Sequence, residues 1–316
     1  MPAIKTINLS STPDSRFIVF SDGHRGDGTG ADDFAANSLI FKCALEYYLA
    51  EGFTLIELGD AEDLWENKDF DQIYITHTSI YNRLSAFHTS DPQQTRYIKI
   101  WGNHDLHWQK NEETLRKLFP GIIVYEAALL DGHILLWHGH QADPSCTGIC
   151  ARFSKFFVRR FWTALQRCGF RDPTRTANNP GRCNEVDETL HTWAISGLPD
   201  SAGFKDSKID RIIAGHTHRP VYENLSLTER MYLESNVGTE GIRKKLHSDQ
   251  AYYNTGSCVH PRCITGIEIT PGKEGKPSLT LIKWGYAAQQ DAETKNAGSE
   301  EYNLTIKREI LEPALT

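Results

Sequence analysis

The sequence predicts an α/β fold built on two sheets. Short apolar runs rich in β-branched and aromatic residues read as strands, and segments of helical period lie between the early ones. A strand-rich C-terminal half then points to a second, partly antiparallel sheet. The 316 residues are enough to bury a substantial core in one domain.

Taken in order, the first strand signal is Arg16–Phe20 (RFIVF). Asp33 to Ala50 follows as a helix, with Leu39, Ile40, Cys43 and Tyr47 at helical spacing, Asp at its start and Gly52 just past its end. Thr54–Leu58 (TLIEL) is the next strand. Asp71 to His88 reads as one helix, carrying Ile73, His77, Ile80, Leu84 and Phe87. Strand Arg96–Trp101 (RYIKIW) precedes a third helix, Asn111 to Phe119, which Pro120 stops. His133–Trp137, Arg211–Ala214, Ala251–Asn254, Cys263–Ile269 and Ser278–Trp284 complete the strand signals. The interval 141–209 is rich in Cys, Arg and aromatic residues and contains a turn-prone stretch, Asp172–Gly181. It reads as a helical cap inserted within a single domain spanning 1–316. The polar end, 286–316, reads as a loosely packed C-terminal extension apart from a strand signal at Tyr302–Ile310.

Composition narrows the function. Hydrophobic residues make up 39%, charged residues 24%, and the formal charge is −7, which disfavours a strongly basic nucleic-acid binder. No apolar run approaches the roughly 20 residues of a membrane helix, and residues 1–20 lack a secretory pattern. The seven irregularly spaced cysteines read as reduced thiols, so a cytoplasmic location is expected. Cys146 and Cys150 lack a second Cys/His pair that would complete a zinc knuckle.

The chemistry lies just after the strands. RFIVF is followed by Ser21-Asp22-Gly23-His24, and TLIEL by Gly59-Asp60-Ala61-Glu62-Asp63. RYIKIW is followed by Gly102-Asn103-His104-Asp105, HILLW by His138-Gly139-His140, and RIIA by Gly215-His216-Thr217-His218. One Asp-x-His alone is usually a turn beside a surface histidine. Five such clusters at five strand ends point to a shared site, because ligands bind at the carboxyl ends of strands in open α/β sheets. Adjacent strands lie about 4.8 Å apart, so the side chains can converge. Carboxylate, imidazole and amide donors without cysteine favour Mn, Fe, Zn or Mg over a soft thiolate site.

These clusters, DGH, GDAED, GNHD, HGH and GHTH, resemble the five ordered motifs of the calcineurin-like metallophosphoesterases, over roughly residues 16–284. The resemblance implies a four-layer α/β/β/α sandwich of two mixed sheets holding two divalent ions, Mn foremost. It implies that Asp22, His24, Asp60 and His218 hold one ion, and that Asp60, Asn103, His138 and His216 hold the other. Asp60 would bridge the pair. A hydroxide bridging the two ions would attack phosphorus in line with the leaving oxygen. His104 would stabilise or protonate that oxygen, and Asp63 would orient His104, unless Asp63 is only a helix N-terminal carboxylate. His140 would touch substrate or water. Arg25 would touch a phosphate or stand as a surface charge.

Core motifs fix a reaction and leave the substrate open. The stretch 152–171 interleaves Phe and Trp with Arg and Lys. It reads as a lid helix packed by its aromatic face, as a basic–aromatic cap for an anionic, partly apolar substrate or a membrane surface, or as a single-stranded nucleic-acid platform. The second reading accords with a distant similarity to the UDP-2,3-diacylglucosamine pyrophosphohydrolases in the GHTHRP motif (Gly215–Pro220) and the basic insertion. The chain departs from them in carrying His104 where that subfamily would place Arg, and in its added strands after residue 220. A small phosphorylated substrate, monoester, diester or pyrophosphate, is expected. A nuclease and a non-catalytic binding module on the same fold remain alternatives.

Overall fold

The protein is described from a computed structural model, covering residues 4–30, 32–67, 69–89, 94–146, 179–204, 208–221, 251–260, 262–272, 276–288 and 304–312. In chain order its strands are β1 (Thr6–Leu9), β2 (Phe17–Phe20), β3 (Thr54–Leu58), β4 (Tyr97–Ile100), β5 (Val124–Tyr125), β6 (Ala127–Leu130) and β7 (Ile134–Trp137). They continue with β8 (Arg211–Ala214), β9 (Pro220–Val221), β10 (Tyr252–Thr255), β11 (Cys263–Pro271), β12 (Pro277–Ala288) and β13 (Leu304–Glu312). The helices are α1 (Ser38–Ala50), α2 (Phe70–Thr76), α3 (Thr78–Phe87), α4 (Glu112–Arg116) and α5 (Pro180–Ser196).

The fold is α/β with two mixed, open sheets. One runs β1-β6-β7-β8-β10-β9 and the other β13-β12-β11-β2-β3-β4-β5. Strands β2, β3, β4 and β5 are mutually parallel, while β11, β12 and β13 add to β2 in antiparallel order. The strand-rich end therefore divides. Its later strands extend the sheet that carries β2, and among the described residues β8, β9 and β10 join the other sheet. The tail strand β13 pairs with β12 from Leu304 to Glu312, with one register shift between Ile310 and Glu312, so that part of the C-terminal extension is held by a strand ladder.

Strand alternation decides what each side chain meets. On β2, Ile18 and Phe20 pack with Phe41, Leu45 and Tyr48 of α1, whereas Phe17 and Val19 join Leu136 of β7 and Ile213 of β8. Leu135, Trp137 and Ile212 turn the opposite way, toward Val186, Leu190 and Ala194 of α5. Three apolar clusters result: sheet with α1–α4, sheet with sheet, and sheet with α5.

Two helix expectations change. The segment read as one helix breaks at His77, whose ring Nε2 lies 2.8 Å from the Asp32 carboxylate while its backbone leaves the helical region at φ −109 and ψ 27. Five residues expected to face inward, Ile73, His77, Ile80, Leu84 and Phe87, are buried all the same. On α1 the buried stripe is Ile40, Phe41, Ala44, Leu45 and Tyr48; Leu39 and Tyr47 face outward, so the inward face is rotated by about one residue. The stretch 152–171 and residues 172–178 of the turn-prone segment lie outside the described residues. Gly181 does not turn the chain: it lies in the first turn of α5, which Asn179 caps through the Arg182 amide.

Candidate metal centre

Each of the five motifs begins where its strand stops, and the backbone there is unusual. Seven described non-glycine residues have positive φ, and five are Asp22 (52°), His24 (46°), Asp60 (51°), His216 (69°) and His218 (59°). Left-handed backbone at a side-chain-bearing residue costs about 1–3 kcal/mol and collects at functional sites. Two neighbouring glycines are forced by close approach. A Cβ on Gly59 would sit 2.4 Å from His138 Nδ1, and one on Gly102 would sit 2.2 Å from Asp60 Oδ1. Gly59 and Gly102 thus make room for ligand side chains from other motifs.

The side chains gather in two groups. In the first, His24 Nε2 lies 3.1 Å from His218 Nε2, and Asp22 Oδ1 lies 3.2 Å from His218 Nε2 and 3.9 Å from His24 Nε2. In the second, His138 Nε2 lies 3.2 Å from Asp60 Oδ2 and 3.2 Å from Asn103 Oδ1, with His216 within reach of Asp60 and His138. Asp60 Oδ2 is also 3.8 Å from His24 Nε2, so this one oxygen faces both groups. The other Asp60 oxygen accepts the His104 amide at 2.7 Å, which fixes the carboxylate. Asp22 is fixed in the same manner, its Oδ2 accepting from the Ser21 hydroxyl and, at 2.9 Å, from the His216 amide.

This donor set fits cations. His138 Nδ1 donates to the Leu58 carbonyl at 2.9 Å. A neutral ring in that tautomer turns a bare Nε2 lone pair toward two oxygens, which is repulsive unless a proton or a metal lies between. Asp22 Oδ1 is buried without a hydrogen-bond partner, although a buried polar atom ordinarily has one. Separations of 3.1–3.9 Å are those of donors arranged around one small ion. Burial alone would raise the Asp22 carboxyl, but His218 beside it holds it down to about 2. Burial works against the His138 imidazolium, yet Asp60 outweighs it and lifts the group to about 9. Without a cation, protons take the place that a metal would fill.

The remaining candidates are placed as follows. His104 Nδ1 is 3.0 Å from Asp63 Oδ1, and its ring stacks on Trp65 at 4.3 Å. No helix starts at Asp63, but the same Oδ1 accepts the Glu66 amide at 3.2 Å in a turn, and Oδ2 lies 3.4 Å from His24 Nδ1. His140 is buried against Trp101, 5.4 Å between ring centroids, and its Nδ1 has no hydrogen-bond partner. Burial and the neighbouring His138 and His216 push His140 well below the ordinary histidine value. Arg25 neither contacts a phosphate site nor stands on the surface. Its guanidinium is 1% exposed and donates to Glu57 at 2.6 Å and to Glu62 at 2.6 Å. The backbone of Arg25 pairs with the GDAED loop, and that pairing carries its side chain inward.

Several further residues lie at the site to which the motifs assigned no role there. Asp143 Oδ2 lies 3.0 Å from His216 Nε2, and Cys146 Sγ lies 4.0 Å from it. Asp105, the last residue of GNHD, accepts the amides of Gly102, Asp60 (3.3 Å) and Ala61 (3.0 Å), tying two motif loops together. A cavity of about 570 Å³ opens beside His104, lined also by Trp65, Phe70, His107, Lys110 and Lys117. Among the described residues no helix is long and apolar enough to cross a membrane. A scan of protein-family models and a search of curated proteins give no match to this chain, so the buried carboxylate and histidine groups, able to hold metal ions, are what its function is read from.

Proposed function

We propose that this chain is a dinuclear-metal-dependent hydrolase of phosphate esters of the calcineurin-like kind. The observation that carries the reading is Asp60 Oδ2, poised between the two donor groups at 3.8 Å from His24 and 3.2 Å from His138. Asp22, His24, Asp60 and His218 would hold one ion, and Asp60, Asn103, His138 and His216 the other. Two divalent cations so held make water a stronger nucleophile and neutralise phosphoryl oxygens. Oxygen and nitrogen donors suit Mn²⁺, with Fe, Zn or Mg as alternatives. The three apolar clusters accord with a four-layer arrangement of helices, sheet, sheet and helix.

His104 is the proton donor of the reading. With Nδ1–H directed to Asp63, the opposite Nε2 carries the proton given to the leaving oxygen as its bond to phosphorus breaks and water oxygen bonds to phosphorus. Stacking on Trp65 holds the ring in one orientation. The adjoining cavity, about 570 Å³, is of the size that takes a small ligand, and Lys110 and Lys117 on its lining suit an anionic ester. The free cysteines Cys43, Cys183, Cys258 and Cys263 accord with a reducing compartment such as the cytoplasm.

The test uses bis-p-nitrophenyl phosphate and p-nitrophenyl phosphate with the metal-stripped chain, with Mn²⁺ added, and with chelator restored. Hydrolysis should appear with Mn²⁺ and vanish with chelator. A metal-saturated chain that hydrolyses no phosphate ester would instead be a binding module.

A further inference from the structure

The chain after β7 turns twice. Gly139 takes a left-handed conformation (φ 106°), a 3-10 turn covers His140–Ala142, and a second covers Pro144–Cys146. Asp143 lies between the turns and is wholly buried. Its Oδ1 accepts both the amide and the hydroxyl of Ser145, at 2.8 and 2.7 Å. That pair fixes the carboxylate so that Oδ2 meets His216 Nε2 at 3.0 Å. The Cys146 amide donates to the Asp143 carbonyl at 3.0 Å, which closes the second turn and brings Sγ to 4.0 Å from the same imidazole nitrogen. A carboxylate oxygen, a thiol sulfur and an imidazole nitrogen thus lie within 4.8 Å of one another, on turns held by their own backbone bonds.

The donor chemistry differs from that of the rest of the centre. Asp22, His24, Asp60, Asn103, His138 and His218 offer oxygen and nitrogen only. Sulfur beside imidazole and carboxylate suits Zn²⁺ or Co²⁺ and is poorly matched to Mg²⁺ or Mn²⁺. We propose that Asp143 Oδ2, Cys146 Sγ and His216 Nε2 form a thiolate-containing cation site at the edge of the centre, selective for zinc-like ions. The Cys146 thiol gives up its proton as the sulfur–metal bond forms. The site shares His216 with the proposed dinuclear centre, and its thiolate donor is read separately from hydrolysis.

The metal-stripped full chain is titrated with Co²⁺ and followed by near-ultraviolet absorbance. A thiolate-to-cobalt charge-transfer band should grow with added ion, disappear in Cys146→Ser and persist in Asp60→Asn. Asp143→Asn should weaken competition by Zn²⁺ by at least the roughly 10–100-fold that loss of a group merely supporting a ligand costs, because Asp143 is itself a ligand. In the wild-type chain, Zn²⁺ but not Mg²⁺ should protect Cys146 from alkylation, read by peptide mass spectrometry; this arm needs no variant to fold. Absence of the band at saturating Co²⁺, its survival in Cys146→Ser, or equal alkylation with and without Zn²⁺ would overturn the site. A band without phosphoesterase activity leaves this site standing and removes the hydrolytic reading; activity without the band does the reverse.

Discussion

Two clusters of buried charge are built from neighbouring stretches of the same chain. In one, Arg25 and Lys99 face Glu57 and Glu62. Arg25 reaches both carboxylates at 2.6 Å, and Lys99 reaches Glu57 at 3.2 Å and Glu62 at 2.8 Å. Tyr97, Tyr81 and Trp108 donate to the remaining carboxylate positions at 2.6, 3.0 and 2.9 Å. Two cations balance two anions, so the cluster is electrically complete. In the other, the Asp22 and Asp60 carboxylates face histidine nitrogens that also face one another, and among the described residues their ion-pair partners are histidines. A buried charge that the protein pairs itself is a structural element. A buried group of lone pairs left facing each other calls for a cation from outside.

Four experiments sharpen or break this contrast, from the largest effect to the smallest. Asp60→Asn removes the oxygen shared by both donor groups; bound metal, read by elemental analysis, should fall and turnover should drop below detection. Retained metal and rate would show that Asp60 is not shared. His104→Ala should keep its metal and lose about 10²–10⁴-fold in kcat, the range of a general acid. An unchanged rate on a poor leaving group would remove His104 from the chemistry. Lys99→Met opens the complete cluster and leaves buried carboxylates underpaired, so urea denaturation should show a loss of about 3–5 kcal/mol. Metal content of the folded fraction should hold; if metal is lost with stability intact, the two clusters are one unit.

The fourth experiment is pH. Burial would raise Glu57 and Glu62, but the buried cations overcome it and hold both below the ordinary glutamate range. Their contribution is full above about pH 4.3 and is lost as pH falls through the depressed values. In the metal-stripped chain His138 behaves oppositely, its value raised to about 9. Its contribution, roughly 3 kcal/mol from the shift, is full below about pH 6.5 and is lost as pH rises toward that value. Denaturation of stripped and Mn²⁺-loaded protein across this range should show the alkaline loss only in the stripped form. An equal loss in both would mean that His138 holds no metal.

The motif glycines illustrate how local sequence can announce tertiary contact. Gly59 and Gly102 were legible as turn residues, yet what demands them is His138 and Asp60 from other motifs. Arg25 shows the opposite: its place beside a motif suggests a phosphate contact or a surface charge, and only the pairing of its backbone with the GDAED loop turns it inward. Asp143 carried no signal because it follows no strand directly, and Cys146 stood out only beside Cys150; two short turns return both to His216. The short strands β5 and β9, two residues each, gave no periodic signal at all.

Alternation along β2, β3, β4, β7 and β8, and the Asp, Asn or His just beyond each, were set by residue order alone, because strand period and strand ends are local properties of a chain. Which sheet received β11, β12 and β13, which carboxylate faced which nitrogen, and which buried charges found partners were decided only on folding. Those outcomes depend on distances between residues far apart in sequence, and no local pattern encodes them.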